Sequence, residues 1–385
     1  ALALALASGG DGGGGVPADG SGDAPDGGDD AAGEEAWEPP PAATDWDRDI
    51  ESTALVVDLA ALTGTATIVL APSDSLAASF DAKGIGVADV SCAGGPLDFA
   101  IADGRLDVGV PAWIREIVVG YSFEVQPGMA GLMAGGSTVT WPYHCGNLFP
   151  CHADPADGLT FDLLIENVPA GEVGVYPAEI PEEAPPYQVA WATGAYEYRT
   201  MGVTDAGTEI GFWFLPGGEI AGHTGAMYLV AAFDWYEKTY GPYMYGAKAG
   251  PVAVDWGGAA QGGMEHHPYW HVSTGAMIDK RVQVHEAAHG WFGDGVRIRC
   301  WEDFVLSEGT ADYVSARAVG VAGGALAEQA VWDDYGARLD SIIAGADAVA
   351  WPDSCGEVDI IEDGLFSQVP YLKGAFFYRA VADEV

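Results

Sequence analysis

The sequence predicts an α+β multidomain protein: an antiparallel all-β domain, then an α+β metal-binding domain. Three observations carry this. From about Asp49 to Ala195, short β-rich runs alternate with Gly, Pro and Asp turns. From about Tyr196 onward, strand and helix patterns mix. Within that second part, His285-Glu286-Ala287-Ala288-His289 falls on an expected helix, and Glu308 falls on the next one after a gap of 18 residues.

The β-rich runs include Thr53 to Leu59, Gly64 to Leu70 and Ile114 to Tyr121, each rich in Val, Ile, Leu and Thr. Such spacing points to an antiparallel sheet or sandwich over residues 49–195. Residues 196–385 open with strand (Gly211 to Phe214), pass to helix from Gly225 through Tyr240, and return to strand at Gly250 to Trp256. Helices follow over Asp279 to Phe292 and Phe304 to Val319, and another is expected from Gly374 to Val385.

Residues 1–48 read differently. Ala1 to Ala7 alternates Ala and Leu and meets Ser8-Gly9-Gly10, like the tail of a secretory leader ending in a cleavage site. The chain has no initial Met, so its front is expected to be clipped, and the segment is too short to span a bilayer. Gly9 to about Asp49 is Gly, Asp, Ala, Pro and Glu with few large apolar residues, and is expected to be a disordered acidic linker. An extracytoplasmic location (secreted, periplasmic or cell-surface) follows as an expectation.

Across the 385 residues, 57 acidic side chains face 15 basic ones, a formal net charge of −42. A surface of that sign repels phosphate backbones and anionic lipid, which argues against binding nucleic acid or a membrane surface, and no membrane insertion is expected. Either solubility in a salty or extracytoplasmic setting or a compositional habit of the source genome would account for it. Of the five cysteines, Cys145 with Cys151 and Cys300 with Cys355 could each close a loop, and none forms a CxxC pair. The pairing is not deducible from spacing.

The chemistry sits in the helix pair. Residues four apart share a helix face, so His285 and His289 can grip one metal ion, with Glu308 as third ligand. Two imidazoles and one carboxylate leave a fourth position for water, the pattern of a catalytic zinc. Glu286, next to the first ligand, can reach that water as a general base. Asp312 lies four residues after Glu308 on the same face. It either orients a zinc-binding histidine or is a solvated acid beside Tyr313. His266, His267 and His271 are expected to line a subsite or face solvent, since no carboxylate set accompanies them.

Five segments stand in a fixed order: Phe149-Pro150-Cys151-His152-Ala153-Asp154-Pro155, Gly262-Gly263-Met264-Glu265-His266, the run from His285 to Gly293, Leu306-Ser307-Glu308-Gly309, and Tyr371-Leu372-Lys373-Gly374. Together they resemble the aminopeptidase N family of gluzincin metallopeptidases over roughly residues 50 to 385. The resemblance implies a saddle-shaped β domain followed by a thermolysin-like catalytic domain, one zinc ion per chain and peptide substrates. It implies zinc on His285, His289 and Glu308, with Glu286 as base and Tyr371 donating to the oxyanion. It further implies that Glu265 takes the substrate's free amino group, and that Gly262, Gly263 and Met264 lie on an edge strand pairing with extended peptide.

This chain departs from the family pattern in three places. Where the family has a TQxE-like run, Thr138-Val139-Thr140-Trp141-Pro142 holds Val139 and Trp141 at the two pocket positions. His266 stands where Asn is expected after Glu265, as in glycyl-aminopeptidase-like relatives. The chain also stops where the family continues into a helical domain, so a fragment is expected. Zinc aminopeptidase activity is the leading expectation. A gluzincin hydrolase with an altered pocket (glycyl-aminopeptidase-like, endopeptidase or epoxide hydrolase) and a non-catalytic scaffold are the alternatives.

Overall fold

In the computed structural model, residues 37–257, 262–344, 349–356 and 358–384 are described. The leader-like segment and the front of the expected acidic linker lie outside them. From Glu38 on, the chain forms one compact unit.

Its first half is built around a seven-stranded sheet in the order Glu179–Ala184, Leu159–Glu166, Ile50–Asp58, Thr63–Leu70, Glu116–Phe123, Ile85–Cys92 and Gly95–Pro96, with a three-stranded sheet of Ala77–Asp81, Arg105–Gly109 and Phe99–Ala102 beside it in sequence. Alternation sets its inner face. Leu159, Phe161, Leu163 and Ile165 are buried, while Asp162, Leu164 and Glu166 between them are exposed. The expected antiparallel pairing holds except in one place. Ile50–Asp58 pairs with Leu159–Glu166 in parallel, with Leu55 opposite Leu163. The hundred-residue excursion between these strands is ample for the crossover a parallel pair needs.

One expectation is corrected here. The acidic linker was to run to residue 48, but its last part is packed against the sheet unit. Arg48 is 1% exposed, and its guanidinium donates to the carbonyls of Ser75, Val110 and Ile114. Asp45 exchanges bonds with Ser79 through its backbone N–H and carbonyl. Three carbonyls around one charged group repay its desolvation, which composition alone could not reveal.

A second, six-stranded sheet is built from Glu197–Val203, Glu209–Phe214, Lys248–Ala249, Val252–Val254, His271–Ser273 and Gly263–Met264. Gly263–Met264 is its edge, paired on one side only with His271–Ser273. Among the described residues, six α-helices follow the sheet strands or lie between them: α1 (Glu219–Ala226), α2 (Leu229–Tyr240), α3 (Lys280–His289), α4 (Phe304–Gly323), α5 (Ala325–Ile343) and α6 (Gln368–Glu384). The last begins six residues before the expected Gly374, which places Tyr371 inside its first turns. A β-rich part followed by an α+β part is thus the observed architecture. Both candidate disulfides are formed, Cys145–Cys151 and Cys300–Cys355, with Cα separations of 6.2 and 5.8 Å. Cys92 is left over.

Between the two parts of this unit lies an aromatic core. Trp141 from the β-rich part meets Trp301 edge-on at 5.6 Å and packs on Phe304, the first residue of α4. Such pairs add about 1 kcal/mol each beyond their area.

Candidate metal centre and active-site cleft

α3 starts at Asp279, whose carboxylate accepts from the Arg281 backbone N–H at 2.8 Å, satisfying a donor the first turn leaves free. Val284, Ala287 and Ala288 bury one stripe of the helix in the core. The opposite stripe carries His285 and His289 toward α4, where Glu308 and Asp312 share a face.

Three atoms converge there. Nε2 of His285 lies 3.1 Å from Oε2 of Glu308, Nε2 of His289 lies 3.4 Å from the same oxygen, and the two Nε2 atoms are 3.2 Å apart. Tetrahedral zinc, with ligands at about 2.0–2.1 Å, requires its ligand atoms to be roughly 3.3 Å apart. The other ring nitrogens are committed. His285 Nδ1 faces Asp312 Oδ1 at 2.9 Å, and His289 Nδ1 donates to the Phe292 carbonyl at 2.9 Å. Both Nε2 lone pairs therefore point at one spot with Glu308. Two lone pairs 3.2 Å apart repel unless a cation or proton lies between them, so this donor set fits zinc.

The electrostatics agree. Burial opposes charge on every group here, yet Glu308 draws His289 up to about 9, and the two imidazoles bring the Glu308 carboxyl down to about 2. A site that holds protons this firmly also stabilises a cation in their place. Glu286 is buried and pushed up to about 8 by desolvation, against the pull of His285 and His289. Tyr371 is pushed well above the ordinary phenol value by burial, then by Glu308, Glu265 and Glu286. It stays neutral and able to donate. Its ring stacks on His285 with centroids 6.0 Å apart.

Glu265 follows the edge strand and is 5% exposed, with a carboxylate oxygen grouped with Glu286 and His289 within 4.8 Å. Gly262 and Met264 line the same cleft. A β-carbon on Gly263 would collide with the Glu286 carboxyl, so glycine leaves that carboxyl its place beside the edge strand. The cleft has a volume of about 700 Å³ and is walled by Val139, Trp141, Trp256, Phe366 and Tyr371.

His266, His267 and His271 correct the expectation of a lining or solvent-facing cluster. They are 2%, 0% and 1% exposed and stand outside the cleft wall. His267 bridges Tyr243 Oη and the Glu286 carbonyl at 2.7 and 2.8 Å, bracing α3 from below. Burial keeps His267 neutral, lowering it to about 3, and His271 likewise at about 4. Sequence reasoning missed Tyr335, Arg281, Arg338 and Gln368, all cleft residues. Arg281 alone was legible, four residues before His285 on the same helix face. Tyr335 donates to Asp312 Oδ1 at 2.9 Å across 23 residues, a contact no spacing rule announces.

Comparison with known proteins places this geometry. Residues 271–385 match the Peptidase family M1 domain. Over that stretch the chain is similar to M1 peptidases. Leucine aminopeptidase 2-2 of Meyerozyma guilliermondii is 26% identical over 273 residues, covering 61% of this chain and 41% of that protein. Aminopeptidase M1-B of Oryza sativa subsp. japonica is 29% identical over 265 residues, 60% of this chain and 29% of that protein. The chain thus spans less than half the length of these M1 relatives. A solved M1 zinc metallopeptidase from Deinococcus radiodurans superposes with a TM-score of 0.71 at 20% identity, covering 88% of this chain and 83% of that one. At that identity the likeness is one of fold. Among the described residues no helix is long and apolar enough to cross a membrane.

Proposed function

We propose that this protein is a zinc-dependent aminopeptidase that removes N-terminal residues from peptides. The observation that carries the reading is the buried Glu265 carboxylate, held within 4.8 Å of Glu286 and His289 and so beside the ligand set of His285, His289 and Glu308. A carboxylate that sits beside the scissile position without belonging to the ligand set has a use in an exopeptidase: it pairs with the substrate's ammonium group and fixes the cut one residue in.

His285, His289 and Glu308 would hold zinc, with Asp312 fixing the His285 ring. A bound zinc ion supplies the Lewis acidity that makes water nucleophilic near neutral pH. Glu286 takes the proton from the attacking water and passes it to the leaving amine. The Tyr371 hydroxyl donates to the developing oxyanion. The free edge of Gly263–Met264 pairs with the substrate backbone, and Glu265 anchors its amino end. Two disulfides favour an oxidising compartment, which supports an extracytoplasmic protein.

Val139 and Trp141 favour a second reading on the same chemistry. Both are buried in the cleft wall, where they give it an apolar surface and no amine anchor beyond Glu265. That leaves room for an altered substrate class. Hydrolysis of aminoacyl-arylamides and their N-acetylated counterparts, with and without a zinc chelator, separates the two. Chelator-sensitive cleavage of free-amine substrates alone is expected, and equal cleavage of blocked substrates would overturn the aminopeptidase reading.

A further inference from the structure

The chain holds only 15 basic residues against 57 acidic ones, yet two guanidiniums, Arg281 and Arg338, line the same cleft as the metal ligands. We propose that Arg281 and Arg338 form an anchor for the free C-terminal carboxylate of short peptide substrates, tripeptides above all. The proposal rests on the aminopeptidase reading, which sets the direction of the substrate.

Along α3 the groups fall in a row. Glu265 groups with His289 at the C-terminal end of the helix. His285 is one turn earlier, and Arg281 one turn earlier again. At 1.5 Å per residue, Arg281 stands roughly 12 Å from His289 along the axis, on the side of His285 away from the amine anchor. An extended tripeptide spans roughly 10 Å at about 3.3–3.6 Å per residue, so its two charged ends match the two ends of this row.

The donors of the two guanidiniums are only partly used. Asp334 on α5 gathers the pair, accepting from Arg281 Nη1 at 2.7 Å and from Arg338 Nη1 at 3.4 Å. Arg338 Nε also donates to Gln368 Oε1 at 3.2 Å. Among the described residues, Nη2 of each guanidinium makes no hydrogen bond, and the side chains remain 42% and 38% exposed. Asp334 holds both cations and Asp279 Oδ1 stands 3.9 Å from Arg281 Nε, which leaves the Nη2 donors for a substrate carboxylate, a group guanidiniums bind well.

On a surface of net charge −42, a peptide carboxylate is repelled almost everywhere. Arg281 and Arg338, set against Asp334 and Asp279, bring the local charge to balance, which lessens that repulsion where a short substrate must end.

Steady-state rates on Leu-Gly-Gly, its C-terminal amide and leucyl-arylamide test the idea. Wild type should favour the free acid over the amide by about tenfold or more, through KM, as expected for a hydrogen bond to a charged group. Arg338→Gln should collapse that ratio toward one, and Arg338→Lys should restore part of it. A purely structural ion pair between α3 and α5 would not move the acid-to-amide ratio. Equal KM for acid and amide in wild type, or an unchanged ratio in Arg338→Gln, overturns the anchor while leucyl-arylamide cleavage leaves the aminopeptidase reading standing. Failure to cut all three substrates would remove both.

Discussion

Gly309 on α4 and Gly374 on α6 touch backbone to backbone: a β-carbon on either would lie 2.5 Å from the Cα of the other. The contact is one residue past Glu308 and three past Tyr371. It is therefore the point at which the helix bearing the third ligand and the helix bearing the tyrosine are drawn together. The glycines in Ser307-Glu308-Gly309 and Leu372-Lys373-Gly374 have a steric reason for being there.

Gly374→Ala should push α6 off α4 by several tenths of an ångström or more and carry Tyr371 with it. We expect kcat to fall by about a hundredfold, since a small misplacement of a catalytic group costs that much, with metal content unchanged. Metal content by atomic spectroscopy beside kcat checks this. A variant with full kcat would mean that the helices have slack at this crossing.

Asp312 accepts from His285 and from Tyr335 through the same oxygen. Asp312→Ala should lower zinc affinity by about 10–100-fold, as is usual when the partner of a ligating histidine is lost. Competition against a chromophoric chelator measures it. Unchanged affinity would return Asp312 to the status of an ordinary buried acid.

Glu286→Ala should remove turnover while leaving zinc bound, because Glu286 reaches the cleft without belonging to the ligand trio. A loss of about 10²–10⁴-fold in kcat is the range for a general base. Retained activity would show that the base is another group, and loss of the metal would show that Glu286 helps to hold it.

His152 lies between Asp157 at 2.8 Å and the Ser79 carbonyl at 2.9 Å, a pair of acceptors that favours the charged ring. Burial lowers its pKa, but Asp157 outweighs that and the net change is upward. A raised folded value means stability that is present in full below the ordinary imidazole value near 6.5 and lost as pH rises through the folded one. Each pH unit separating the folded from the unfolded value is worth about 1.4 kcal/mol. The stability advantage of wild type over His152→Gln in urea unfolding should shrink from pH 6 to pH 9. A constant gap would refute the linkage.

Much of the cleft could be read locally. His285 and His289 share a face because helices repeat every 3.6 residues, and Glu308 with Asp312 obeys the same rule on α4. The β-rich first half was legible from alternation, with Phe161 and Ile165 inward and Asp162 and Glu166 outward. Other features were not legible, because they depend on residues distant in sequence. The burial of Arg48 depends on carbonyls 27 to 66 residues away. The parallel pairing of Ile50–Asp58 with Leu159–Glu166 depends on how the intervening strands turn back.

By itself, the sequence determined which atoms can serve as metal ligands and base, since that follows from residue type and helical period. Tertiary structure alone decided what stands around them. It buried His267 under α3 as a neutral brace, brought Tyr335 to Asp312, met Trp141 with Phe304, and joined Arg281 and Arg338 in the cleft wall through Asp334. The physical reason is range. Period and residue chemistry act within one or two helical turns, whereas desolvation and side-chain packing depend on whichever distant segment folds against the site.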